Sequence, residues 1–79
     1  MMKLGKKEVS ILKFIRRSRH KATIQEIADG LGYSFREVGI FIEEMVNIKL
    51  LNHAIGPSPA EDAYYTNPEK REEIYDLIG

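Results

Sequence analysis

The chain has 79 residues, 43% of them hydrophobic, no cysteine, and 12 basic against 12 acidic side chains. That length buries one modest core, the composition is globular rather than disordered, and the missing cysteines exclude a disulfide framework or a thiolate metal site. No apolar run reaches the roughly 18 residues of a membrane span, and the N-terminal lysines lack the apolar stretch of a signal peptide, so a single cytoplasmic domain over residues 1–79 is predicted.

The first predicted helix runs from about Lys6 to Arg19. Val9, Leu12 and Ile15 face inward, joined by Ile11 and Phe14 if the stripe is broad, while Lys13, Arg16, Arg17 and His20 face outward. Residues 1–21 hold Lys3, Lys6, Lys7, Lys13, Arg16, Arg17, Arg19 and Lys21 against Glu8 alone, a net charge of +7, which leaves −7 for the remainder. Such a basic segment can steer a polyanion to one face, or can simply attract the acidic part of the chain.

A second helix opens at Thr23. Thr23, Ile24, Gln25 and Glu26 form a Thr-x-x-Glu capping box, in which two side chains satisfy backbone donors left free at a helix start. Ile24, Ile27, Ala28 and Leu31 form its apolar stripe; small Ala28 lets another helix cross closely, and Gly32 can take the positive φ of a sharp turn. Ser34 opens a third helix, with Glu37 expected to complete a second capping box, and Val38, Phe41, Ile42, Met45 and Val46 at core spacing.

Leu50 to Ile55 reads as a strand, Gly56-Pro57-Ser58-Pro59 as a turn, and Ala63 to Thr66 as the returning strand. Asn67 or Thr66 can cap a last helix over about 68–78, with Pro68 in its first turn and Ile74, Leu77 and Ile78, joined by Tyr75, as its apolar face. The predicted fold class is mainly α with a small β-hairpin: about four helices plus a two- or three-stranded wing. The helix-turn-helix covers about 23–49, the wing about 50–66. There is no internal repeat or low-complexity tract.

Thr23-Ile24-Gln25-Glu26-Ile27-Ala28, then Leu31-Gly32-Tyr33-Ser34, Val38, Ile42, Met45-Val46 and Lys49-Leu50-Leu51, followed by Ala63-Tyr64-Tyr65-Thr66 and a helix, together resemble the winged helix-turn-helix family. The likeness is to small bacterial and archaeal transcriptional regulators of the multiple-antibiotic-resistance and arsenical-resistance type, and it covers nearly the whole chain. It implies a double-stranded DNA partner, a recognition helix over about 34–48 lying in the major groove, and a role in transcription regulation.

On that resemblance Phe35, Arg36, Gly39, Ile40 and Glu43, with Ser34 at the cap, are the recognition-helix candidates, Glu43 being more commonly explained as a solvated carboxylate. The planar fork of Arg36 can donate two hydrogen bonds to guanine, and Phe35 and Ile40 can meet thymine methyl groups. Lys21 and Thr23, at the start of the first motif helix, and Arg16, Arg17 and Arg19 are candidates for phosphate contact. The wing offers His53, Ser58 and Asn52, but no Lys or Arg. Glu43 and Glu44 oppose a phosphate backbone, so a second reading stays open in which the exposed apolar and acidic helix docks a protein partner.

Neither enzyme chemistry nor a cofactor is expected. His20 and His53 lack metal-ligand spacing, neighbouring carboxylates such as Glu43-Glu44 diverge on a helix, and the glycines at 30 and 32 belong to the interhelical turn rather than to a phosphate loop. The last helix can pair with its copy in a homodimer, or close its own core as a monomer.

Overall fold

A computed structural model describes residues 4–18 and 21–78. Helix α1 (Lys6–Arg17) leads into strand β1 (Ala22–Thr23), helices α2 (Ile24–Leu31) and α3 (Phe35–Asn47), strands β2 (Leu51–Ala54) and β3 (Ala63–Thr66), and helix α4 (Arg71–Ile78). Single 3-10 turns lie at Pro59–Glu61 and Pro68–Lys70. The strands make one antiparallel sheet in the order β1-β3-β2. The expected α+β architecture of four helices with a wing is the observed one, with three strands in the sheet. The added strand is β1, where Ala22 pairs with Tyr64 and Thr23 with Ala63; two residues are too few to show an alternating pattern in sequence.

Each helix contributes a stripe to one core. Ile11, Leu12 and Ile15 of α1, Ile27 and Ala28 of α2, Val38, Ile42 and Met45 of α3, Leu50, Leu51, and Ile74 and Ile78 of α4 are buried together. Val9, Phe14, Ile24, Leu31, Phe41, Val46 and Leu77 pack at its margin. Spacings of three and four residues put these side chains on single helix faces, and their removal from water is the main force that holds the elements together. Tyr75 departs from the expectation that it would join the apolar face of α4. It is 49% exposed, with the Arg16 guanidinium 4.1 Å from its ring centroid, an arrangement that a cation–π attraction favours at the surface.

The helix ends explain the boundaries. At α2 the capping box is complete: Thr23 Oγ1 accepts from Glu26 N at 3.1 Å, and Glu26 Oε1 accepts from Thr23 N at 2.9 Å. Gly32 ends α2 at φ +72, in the left-handed region where a side chain is disfavoured. At α3 only half of the expected box forms. Ser34 Oγ accepts from Glu37 N at 3.1 Å, but the Glu37 carboxylate turns away to pair with Lys7 of α1, because an ammonium is a stronger partner than a backbone amide. Helix α1 ends at Arg17, before the expected Arg19. Ser18 Oγ donates to Phe14 O at 2.9 Å, a side-chain bond of the kind that competes with continued helix. Arg19 and His20 lie outside the described residues.

The exit from α3 is a Schellman turn. Leu50 N donates to Met45 O at 2.9 Å and Lys49 N to Val46 O at 3.1 Å, with Lys49 at φ +69; this pairing satisfies carbonyls that a helix end leaves free. Because the Leu50 amide is used there, β2 begins at Leu51, one residue later than expected. Asn67 caps the turn before α4, accepting from Glu69 N at 3.1 Å. It also reaches back, donating from Nδ2 to Lys49 O at 2.8 Å and from its backbone to Leu50 O at 3.0 Å.

Candidate nucleic-acid interface

With Val38, Ile42 and Met45 fixed in the core, the helical period turns Arg36, Ile40 and Glu43 outward and leaves Gly39 half-buried at the edge, whereas Phe35, in register with Val38 and Ile42, is exposed because it lies in the first turn, where the core stripe ends. Phe35 is 53% and Ile40 51% exposed, on one helix but about 140° apart around it at 3.6 residues per turn. Arg36 lies between them, one residue after Phe35 and one turn before Ile40. At Gly39 a Cβ would approach nothing nearer than Ile24 Cδ1 at 4.0 Å, so the absent side chain leaves the surface open without relieving any crowding. The structure thus brings Ser34, Phe35, Arg36, Gly39 and Ile40 to the first two turns of one helix. Thr23 is one residue ahead of α2, with its hydroxyl already committed to the cap.

The charges on this helix are graded along its axis. The Lys7 ammonium pairs with Glu37 and lies 5.4 Å from the Tyr33 ring centroid. The hydrogen bond and the charge of Glu37 raise the Lys7 pKa above its ordinary value, and the ammonium lies beside the Glu37 carboxylate and offsets its charge. Among the described residues Arg36 has no carboxylate partner. Glu43 and Glu44, both exposed, lie about 10 Å farther along the axis at 1.5 Å per residue, beyond the roughly 8 Å screening length at physiological salt. The start of α3 is therefore cationic and apolar, and its second half is anionic.

The other candidates are dispersed. Lys21 is exposed just ahead of β1, and Arg17 is exposed at the end of α1. Arg16 lies against Tyr75, in a cleft that Tyr65, Asn67, Arg71 and Ile74 also line, which places it at the junction of α1 and α4. In the wing His53 is tied to its own strands: its ring stacks on Tyr64 with centroids 4.7 Å apart, and its Nε2 is 3.0 Å from Asp62 Oδ2. Asp62 Oδ1 accepts from Gly56 N at 2.7 Å. That bond, followed by His53, holds the Asp62 carboxyl below its ordinary pKa, while burial followed by the charges of Asp62 and Glu43 raises that of the Tyr64 hydroxyl. Ser58 Oγ faces Glu61 Oε1 at 3.4 Å. The expected wing residues thus brace the wing internally.

Two contributors escaped the sequence. Lys7 was visible only as one of eight basic residues, and its partner Glu37 is 30 positions away; Asn67 was readable as a cap but not as a bridge to Lys49. Neither pairing leaves a local pattern. Among the described residues no group of three or more His, Cys, Asp or Glu is placed to hold a metal ion, and no helix is long and apolar enough to cross a membrane.

No protein-family model and no curated protein matches the sequence. Solved structures do match the fold. The PcaV transcriptional regulator from Streptomyces coelicolor, in complex with its natural ligand, aligns at a TM-score of 0.77 and 8% identity over 98% of this chain and 54% of its own. Staphylococcus aureus MarR in complex with salicylate and kanamycin gives 0.78 and 13% over 95% of this chain and 49% of its own. An E. coli MarR mutant complexed with operator DNA gives 0.76 and 14% over 96% of this chain and 56% of its own. The chain spans about half the length of the regulators it matches. Its fold is the winged helix-turn-helix of MarR-type transcriptional regulators.

Proposed function

We propose that this chain binds double-stranded DNA as the reading unit of a transcriptional regulator, with the first two turns of α3 in the major groove. The observation that carries the reading is the exposure of Phe35, Arg36 and Ile40 in the first two turns of α3, with side-chain-free Gly39 among them, on a fold that is also that of a MarR mutant complexed with operator DNA. Arg36 is the base-reading fork, and Ser34 stands where a phosphate would pass. Lys21 and Arg17, with Arg19 beside them in sequence, supply backbone attraction. Arg16 acts through α4 instead, and His53 and Ser58 set the shape of the wing. The function is binding rather than catalysis. A homodimer through α4 would present two recognition helices about 34 Å apart and select a palindromic site.

The test is a fluorescence-anisotropy titration of duplex DNA at two salt concentrations. Phosphate contacts give a log–log slope of about −0.9 for each phosphate neutralised, and Arg36→Ala reduces affinity for a preferred site more than for random duplex. A second reading, a docking surface for a protein, is favoured by Glu43 and Glu44 on the same helix as Phe35 and Ile40. It predicts no duplex binding even at low salt, which would reject the first reading.

A further inference from the structure

We infer that α3 selects its DNA site mainly through the 5-methyl groups of thymine, which Phe35 and Ile40 cover on either side of a guanine held by Arg36, with Gly39 setting how closely the helix seats. This rests on the reading that α3 enters the major groove and adds which chemical features it recognises there. On the first two turns of α3 the side chains able to hydrogen-bond a base edge reduce to one. The Glu37 carboxylate is held by Lys7, Val38 is buried, Ser34 Oγ accepts the cap bond at the helix start and has only its hydroxyl proton left, which the DNA-binding reading gives to a phosphate, and Arg36 is left to face a base edge. Discrimination beyond one guanine therefore falls to apolar surface, and the apolar feature of the major groove is the thymine methyl.

Placement supports the pairing. Phe35 and Ile40 bracket Arg36 along the helix, and both are about half exposed. Gly39 carries no side chain to stand between its backbone and the groove, which allows a close approach there. Insertion stops there, since Glu43 and Glu44 begin the anionic half. A protein partner fits this patch less well. Two apolar side chains separated by an arginine and a glycine fall far short of the roughly 800 Å² per partner of a stable protein interface.

The experiment enriches binding sites from a random-sequence duplex pool with the full chain, then compares the enriched duplex made with thymidine and with deoxyuridine. Deoxyuridine keeps every pairing and hydrogen-bonding group and lacks only the methyl. Affinity should fall about fourfold for each covered methyl, from the burial of one carbon. The double variant Phe35→Ala, Ile40→Ala should bind both duplexes equally, with an unchanged far-UV circular dichroism spectrum since both residues lie at the surface. Gly39→Ala should lose affinity for both. Equal binding of the unaltered protein to the two duplexes, or enriched sites without thymine, overturns the inference and leaves DNA binding intact. Absence of duplex binding overturns the inference together with the reading beneath it.

Discussion

Replacing either of two helical glycines by alanine should shift stability in opposite directions. Alanine is favoured over glycine inside a helix by about 1 kcal/mol, because glycine surrenders more backbone freedom on folding. At Gly39 the new methyl meets only Ile24 Cδ1 at 4.0 Å, so most of that gain should appear, raising the midpoint by about 4–8 °C for a domain of this size. At Gly30 in α2 the methyl would lie 2.2 Å from Phe14 Cε2 and 2.6 Å from Cζ. The ring must move out of its seat between α1 and α2, and overpacking of that kind costs about 1–3 kcal/mol. The net effect of Gly30→Ala is then a loss of up to about 2 kcal/mol. Urea denaturation followed by circular dichroism measures both. In the double variant Phe14→Leu, Gly30→Ala, the shorter side chain should recover about 1 kcal/mol relative to the sum of the single changes. Stabilisation by both alanines, or loss at Gly39, would refute the reasoning. The Gly39 variant matters for function as well, since it should fold better and bind DNA worse.

Lys49→Gly should stabilise the domain by about 0.5–1 kcal/mol, because the left-handed φ at that turn costs a side-chain-bearing residue about 1–2 kcal/mol and the added chain entropy offsets part of the gain; a higher urea midpoint at unchanged slope would show it. Asp62 has a folded pKa below its ordinary 3.8, so its contribution is present above that value and is lost as pH falls through the lower folded one. Asp62→Asn should therefore flatten the acid side of the stability profile, and thermal melts in acidic buffers would test it against an unchanged acid limb.

The parts of the fold that could be read from sequence have local causes. The box at Thr23 and Glu26, the turn at Gly32 and the apolar stripes each involve residues within one or two turns, and all three appear as expected. Glu37 obeys the same local rule, yet Lys7 outbids the amide it was expected to satisfy. Strand β1 exists because β3 offers an edge for it, and no pattern within two residues encodes that. The exposure of Arg36 and Ile40 was legible because fixing the core residues fixes their opposites, whereas Phe35 lies on the core stripe and owes its exposure to its place in the first turn. The seat of Arg16 was not, since its place over Tyr75 depends on how α4 returns to α1.

Asn67 gives the fold a further property. One buried side chain grips the carbonyl at the end of the α3 exit turn and caps the turn into α4, so the two helices share a single fastening. Tilting α4 must either tear a buried amide from its partners or drag the far end of α3 with it. A force on the last helix is thereby passed to the exit of α3.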